Sequence, residues 1–211
     1  PLPTGRVTPR GAFVFGVLLS VAGYLELTFG ANPLAGALGL FTLLAYLLAY
    51  TPLKQHSRHA TTVGAVPGAM PPLIGFAAAA GTLPLEAWIL FAILFLWQFP
   101  HFYAIAWMYR DDYARAGIRM LPVVEPDCRS TARRILAASL LLVPVSLLPG
   151  FSGMAGGIYL AGALLLGAYF AWNGWKAARD RTLLRARCVL LASVLYLPAL
   201  YLLMLLDRPR L

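Results

Sequence analysis

Seven apolar runs, at roughly 11–29, 33–51, 63–80, 84–109, 134–149, 155–175 and 186–206, alternate with short polar segments along the chain. Most approach the ~20 residues that a helix needs to cross the hydrocarbon core of a bilayer. No run alternates apolar and polar residues with the period of two of a barrel strand, and an open sheet cannot live in lipid. The pattern therefore predicts an all-α fold, a polytopic transmembrane helical bundle of seven spans. Two runs are irregular. The fifth is short, and GAVPGAMPPLIGFAAAAG at 64–81 sets Pro67, Pro71 and Pro72 among small residues. Such a segment makes a poor straight helix but lets backbones approach closely or border a cavity.

Composition agrees with this pattern. The 211 residues are 60% hydrophobic and only 12% charged, against about a quarter charged in soluble domains. The net charge of +9 must then sit outside the lipid, and its placement sets the topology. Arg6 and Arg10 precede the first run. Lys54 and Arg58 follow the second, six arginines from Arg110 to Arg134 follow the fourth, and Lys176 with four arginines from Arg179 to Arg187 follows the sixth. The alternate connections, near 30–33, 81–84 and 150–154, carry no Lys or Arg. The positive-inside rule makes the four basic segments cytoplasmic and the C-terminus external. Anionic headgroups account for much of this charge, and no nucleic-acid partner is expected. Cys128 and Cys188 suggest neither a metal knuckle nor a disulfide framework. The chain opens on Pro1 with no signal-peptide pattern, so a trimmed or fragmentary chain is expected.

Every candidate for chemistry falls on the basic side. Asp111, Asp112, Glu125 and Asp127 share one loop with six arginines. Carboxylates can hold Mg²⁺ while Lys and Arg neutralise phosphate, which is what a metal–diphosphate site requires. Asp111 and Asp112 project about 100° apart on a helix, so one faces a shared metal and the other pairs with an arginine or meets water. Upstream, WQFPHFYAIAW at 97–107 puts Gln98, Pro100 and His101 inside an apolar run. His101 lies roughly 13 Å in from Arg110 on a continuous helix, a depth at which an ionisable group suggests function. Hydrogen bonding between helices is the plainer alternative. Trp97, Phe99, Phe102, Tyr103 and Trp107 surround it, and Pro100 is expected to kink the helix. YTPLKQHSRHATT adds Tyr50, Lys54, Arg58 and hydroxyls at the membrane edge as diphosphate ligands. A membrane transporter would need polar positions in the outer halves. Those halves hold little besides Glu26 and Glu86, so one-sided chemistry favours an enzyme taking a lipid substrate from the bilayer.

Five stretches carry a resemblance: PLPTGRV (1–7), YTPLK (50–54), GAVPGAMPPLIG (64–75), WQFPHFYAIAW (97–107) and DYARAGIRMLPVV (112–124). In that order they resemble the protoheme IX farnesyltransferases (haem O synthases), a branch of the UbiA-type intramembrane prenyltransferases. The resemblance implies a single domain over 1–211 with about nine helices in the whole family fold. The first two helices and the first Asp-rich loop would be missing here, leaving this chain alone inactive. It also implies transfer of farnesyl from farnesyl diphosphate to a vinyl group of haem B, with Mg²⁺ as cofactor and the active site on the cytoplasmic face of a bacterial-type inner membrane. Asp112, Lys54 and His101 would be catalytic, and Asp112 with Asp111 would hold the metal. Arg6, Tyr50, Lys54, Arg58, Gln98, His101, Tyr103, Arg110, Tyr113 and Arg115 would meet diphosphate or haem, His101 facing the porphyrin and its iron. Haem A synthase and cytochrome oxidase assembly factors are the protein partners it suggests. Gln55 and Ala60 depart from the basic residue and the Asn common near those positions. Adjacent Asp111 and Asp112, in place of a spaced DxxxD, argue against the alternative, a prenyltransferase acting on an aromatic acceptor such as 4-hydroxybenzoate.

Overall fold

A computed structural model describes residues 4–208; the first three residues of PLPTGRV, and Arg210, lie outside them. The described residues form helices and connections with no strand. Polar residues just ahead of apolar runs start several helices. In α1 (Pro9–Ala31) the Thr8 hydroxyl accepts from the Gly11 N–H at 3.1 Å, and Pro9 occupies the first turn, where its missing N–H costs nothing. In α2 (Pro33–His56) Asn32 caps the first turn by accepting from the Ala35 N–H at 3.0 Å. The Asn32 amide also donates to the Ala77 carbonyl at 2.6 Å, tying α2 to α3 (Ala60–Ala80). The α3 helix divides at Met70, because Pro71 and Pro72 have no N–H for the carbonyls of the preceding turn.

The long α4 (Leu85–Met108) runs through Pro100 without interruption. Two short helices follow, α5 (Arg110–Arg115) and α6 (Leu121–Val124), before α7 (Arg129–Phe151), α8 (Gly157–Asp180) and α9 (Leu183–Leu206). All seven apolar runs are thus helical. Six of these seven long helices, all but α8, are long and apolar enough to cross a membrane by themselves. The 24-residue α8 matches them in length, but Asn173, Lys176 and Arg179 dilute its hydropathy. The fifth run grows at its N-terminus, since Arg129, Arg133 and Arg134 belong to α7 rather than to the loop. Glu125 makes this extension favourable. Its carboxylate accepts from the Ser130 N–H at 2.7 Å and from the N–H and hydroxyl of Thr131 at 3.0 and 3.2 Å, satisfying donors that a helix start leaves free.

The core lies where α4, α7, α8 and α9 meet, around Ile93, Tyr103, Trp107, Ile135, Leu142, Tyr159, Phe170 and Tyr196. Buried alanines such as Ala104, Ala132, Ala163 and Ala192 let these helices approach closely. Polar groups inside the bundle mostly find partners, as lipid demands, the hydroxyls of Thr61 and Tyr201 being the exceptions among the described residues. The Tyr159 hydroxyl donates to the Ser146 carbonyl at 2.7 Å, and Ser146 Oγ bonds the Tyr196 hydroxyl. At the end opposite the basic loops, Asp207 accepts from the Tyr159 N–H at 2.7 Å while its carbonyl accepts from the Gly156 N–H at 2.9 Å, clamping the start of α8 to the end of α9. By contrast, α1 has no buried residue and α2 buries only Ala35 and Gly36. Large apolar side chains such as Phe13, Leu18, Leu165 and Leu205 cover the outside, a surface suited to lipid rather than water.

Candidate active site

At the basic end, α2, α3, α4 and the loop after α5 enclose a cavity of about 260 Å³. Its wall is assembled by four-residue steps, which bring side chains to one helix face. On α2 these are Tyr46, Tyr50 and Lys54; on α3, Thr61, Gly64 and Gly68; on α4, Gln98 and Phe102; Tyr113 of α5 with Ile118 and Met120 of the loop after it close the cavity. Gly117, at φ +71°, turns the chain after α5. The Arg119 N–H then donates to the Lys54 carbonyl at 3.0 Å, so the loop is fastened to the end of α2.

Two glycines set the depth of the wall. A Cβ on Gly64 would come within 2.5 Å of the Tyr50 ring, and one on Gly68 would overlap Gln98 Oε1. The Gln98 amide is in turn held by donating to the carbonyls of Ala65 and Leu94, both at 3.2 Å. Lys54 Nζ lies 4.3 Å from the centroid of Tyr50 and 5.8 Å from that of Tyr46. It makes no ion pair among the described residues, so one cation faces a largely aromatic cavity with no carboxylate in its wall.

Thr61 is the second unmatched group. It is 4% exposed, and its hydroxyl has no hydrogen-bond partner. Thr28, Thr42, Ser139 and Ser146 each donate to the carbonyl four residues back. Thr61 stands in the first turn of α3, where the residue four back, Ser57, precedes the helix and its carbonyl takes the Ala60 N–H. An orphaned buried hydroxyl costs about 1–3 kcal/mol.

Of the residues expected from sequence, Tyr50, Lys54, Gln98 and Tyr113 meet in this cavity. The others do not line it. Arg6 and Arg58 are exposed. Asp112 is exposed and pairs with Arg115, while Asp111 faces solvent 3.7 Å from Arg110, whose guanidinium also donates to the Pro126 carbonyl at 3.2 Å. Tyr103 points the other way, into the core, and accepts from Arg134 at 3.1 Å. His101 lies on the α9 side of α4, stacked on Trp97 at 4.5 Å, with Nδ1 2.8 Å from Ser193 Oγ. Ser193 gives its one proton to the Leu190 carbonyl at 2.6 Å. The imidazole therefore donates from Nδ1 and keeps its Nε2 lone pair free. Tyr46, Thr61, Gly64, Gly68, Phe102, Ile118 and Met120 were not singled out from sequence as site residues. For Tyr46 and Phe102 the four-residue steps from Lys54 and Gln98 were the available signal.

For Mg²⁺, the described residues hold no group of three or more His, Cys, Asp or Glu arranged around one point. Mg²⁺ usually keeps several waters and takes only one or two protein carboxylates beside substrate phosphates. Asp111 and Asp112, just ahead of Tyr113 of the cavity wall, are the carboxylates that would supply that smaller share. The Glu125 carboxyl of the same connection serves α7 instead. Burial alone would raise its pKa, but the hydrogen bonds from Ser130 and Thr131 outweigh it and hold it below its ordinary value.

Residues 1–205 match the model of the UbiA prenyltransferase family. The chain belongs to the UbiA prenyltransferase family. It is 63% identical to a protoheme IX farnesyltransferase of Solibacter usitatus over 209 residues, 99% of this chain and 72% of that protein. Similar relatives of the same name occur in Koribacter versatilis, at 49% identity over 99% of this chain and 69% of the relative, and in Salinibacter ruber, at 47% over 98% and 73%. No solved structure matches the chain. The helical, lipid-covered bundle and the UbiA family together identify an integral membrane protein.

Proposed function

We propose that this chain transfers the farnesyl group of farnesyl diphosphate to a vinyl group of protohaem IX, with the cavity opening on the cytoplasmic face of a bacterial-type inner membrane. The observation that carries the reading is the Lys54 ammonium, without an ion pair among the described residues and set over the rings of Tyr46 and Tyr50, in the wall of a largely aromatic cavity. Such a site accepts a diphosphate head at its basic mouth and an isoprenoid tail between the helices. The relatives named protoheme IX farnesyltransferase favour haem over an aromatic acid as acceptor.

In this mechanism Lys54 neutralises charge that grows on the diphosphate as the allylic C–O bond breaks and its electron pair leaves with oxygen, a preorganised electrostatic term. Tyr50 packs against Lys54 and fixes its ammonium. Mg²⁺ held by Asp112, with Asp111 beside it, would supply further neutralisation of the diphosphate. The aromatic wall of Tyr46, Tyr50 and Phe102 shields the allylic cation from premature water. The cation adds to the vinyl group, and water then joins the resulting cation and releases a proton, giving a hydroxyethylfarnesyl side chain. His101, with Nε2 free and its ring 5.2 Å from that of Phe102, is assigned to the porphyrin and its iron. The carboxylates available are few, so the 211 residues alone are expected to be inactive. Haem A synthase and cytochrome oxidase assembly factors are the proposed protein partners.

The test is expression of the gene from its native start in a host lacking its own haem O synthase, followed by haem extraction and mass detection. A hydroxyethylfarnesyl haem that disappears in Asp112→Asn is the expected result. Unmodified haem B, with the protein present in the membrane, would move the assignment to an aromatic acceptor.

A further inference from the structure

We propose that Thr61 is a substrate-binding residue, its hydroxyl donating a hydrogen bond to an anionic oxygen of the ligand that fills the cavity beside Lys54. The proposal rests on the functional reading above and adds a residue to it. Two independent observations meet here. Thr61 forms part of the wall of a cavity built around an unpaired cation. Its own hydroxyl, in a residue only 4% exposed, has no partner. A buried hydroxyl left unbonded is unfavourable for the empty protein, and valine would fill nearly the same volume without that cost. The hydroxyl becomes favourable once an oxygen enters the cavity.

The chemistry of the wall indicates which oxygen. Lys54 is the one cation among the lining residues, and no carboxylate accompanies it. The Gln98 amide nitrogen of the same wall is already held by Ala65 and Leu94. Within the proposed reaction, anionic oxygens come from two sources, the diphosphate of the prenyl donor and the propionates of protohaem. Both accept from a hydroxyl in the same way. Thr61 therefore supplies a short, directional donor where Lys54 supplies charge, and the ligand's register along α3 depends on it.

Thr61→Val and Thr61→Ser test this in the protein expressed from its native start. A donor to a charged oxygen lost from a dry site weakens binding about ten-fold. Thr61→Val should raise KM about ten-fold for farnesyl diphosphate if the partner is phosphate, or for protohaem if it is a propionate. Thr61→Ser should keep the wild-type value. With no ligand present, Thr61→Val should also melt at a higher temperature than wild type, which a merely structural hydroxyl bond would not allow. Unchanged KM for both substrates would mean that the hydroxyl meets only water, and would overturn the proposal. If the wild type makes no farnesylated haem, the functional reading falls separately. The stabilisation of each protein by inorganic diphosphate then decides: a thermal shift in wild type and Thr61→Ser that is lost in Thr61→Val supports Thr61 as a ligand, and equal shifts or none in all three overturn it.

Discussion

Replacing Gly68 with alanine should destabilise the bundle, although alanine is the better helix former. Gly68 sits within α3, and a Cβ there would overlap Gln98 Oε1 and come within 3.0 Å of its Cδ. Gln98 is 4% exposed and its amide is anchored by two 3.2 Å hydrogen bonds, to Ala65 and Leu94. The amide must swing aside and give up both bonds, each worth about 1 kcal/mol net. Overpacking adds about 1–3 kcal/mol, and the helix propensity of alanine returns about 1 kcal/mol. The balance is about 2–4 kcal/mol, or a melting temperature lowered by of order 5–10 °C. Thermal unfolding in detergent micelles, followed by loss of helical circular dichroism, measures it. A cycle with Gln98→Ala isolates the cause. The double variant should be less destabilised than the two single effects added, by about 2 kcal/mol, because the methyl group then occupies space the amide has vacated. A Gly68→Ala protein that melts at or above wild type, or a double variant that is simply additive, would refute the contact.

Two further outcomes follow from caps at opposite ends of the bundle. Glu125 has its carboxyl held below the ordinary value of about 4.3 because the bonds from Ser130 and Thr131 outweigh its burial. Its contribution to stability is therefore complete above that value and is lost as pH falls through the depressed folded value. Wild type should lose more stability than Glu125→Gln between about pH 5 and pH 3, and Glu125→Gln should already be weaker by about 1 kcal/mol at neutral pH. At the other end, Asp207→Ala removes the carboxylate that accepts from the Tyr159 N–H at 2.7 Å. It should cost about 1 kcal/mol and speed amide exchange at the start of α8 without altering exchange around Lys54.

The bundle was legible in the sequence because lipid imposes a simple condition: a span must be apolar and about twenty residues long, and its flanking cations record its direction. The same condition hides which way each span faces. In a water-soluble helix an apolar stripe marks the core, but α4 is apolar on every side, so its pattern does not tell cavity from core. Gln98, His101 and Tyr103 lie within six residues and read alike as polar groups in one greasy run. The structure sends them to three places, Gln98 to the cavity, His101 to Ser193 on α9, and Tyr103 to Arg134 on α7. Their separation is set by how α4 is rotated against α3, α7 and α9, and that rotation depends on small residues such as Gly68, Ala104 and Ala106.

The arginines misled for a related reason. Arg129, Arg133 and Arg134 look like loop residues because they are charged, yet Glu125 caps a helix start there and carries α7 out past the apolar run. Long cationic side chains can remain on a helix as it leaves the bilayer, keeping their charge near water while their stems cover apolar surface. Charge therefore marks the membrane face and leaves the end of the helix undetermined. Thr61 is the converse case, a residue with no charge or motif to draw attention to it. Its importance lies in a bond it does not make: Thr28, Thr42, Ser139 and Ser146 find a carbonyl four residues back, and the first turn of α3 offers Thr61 none. That becomes visible only when the partners of every buried polar atom are traced in three dimensions.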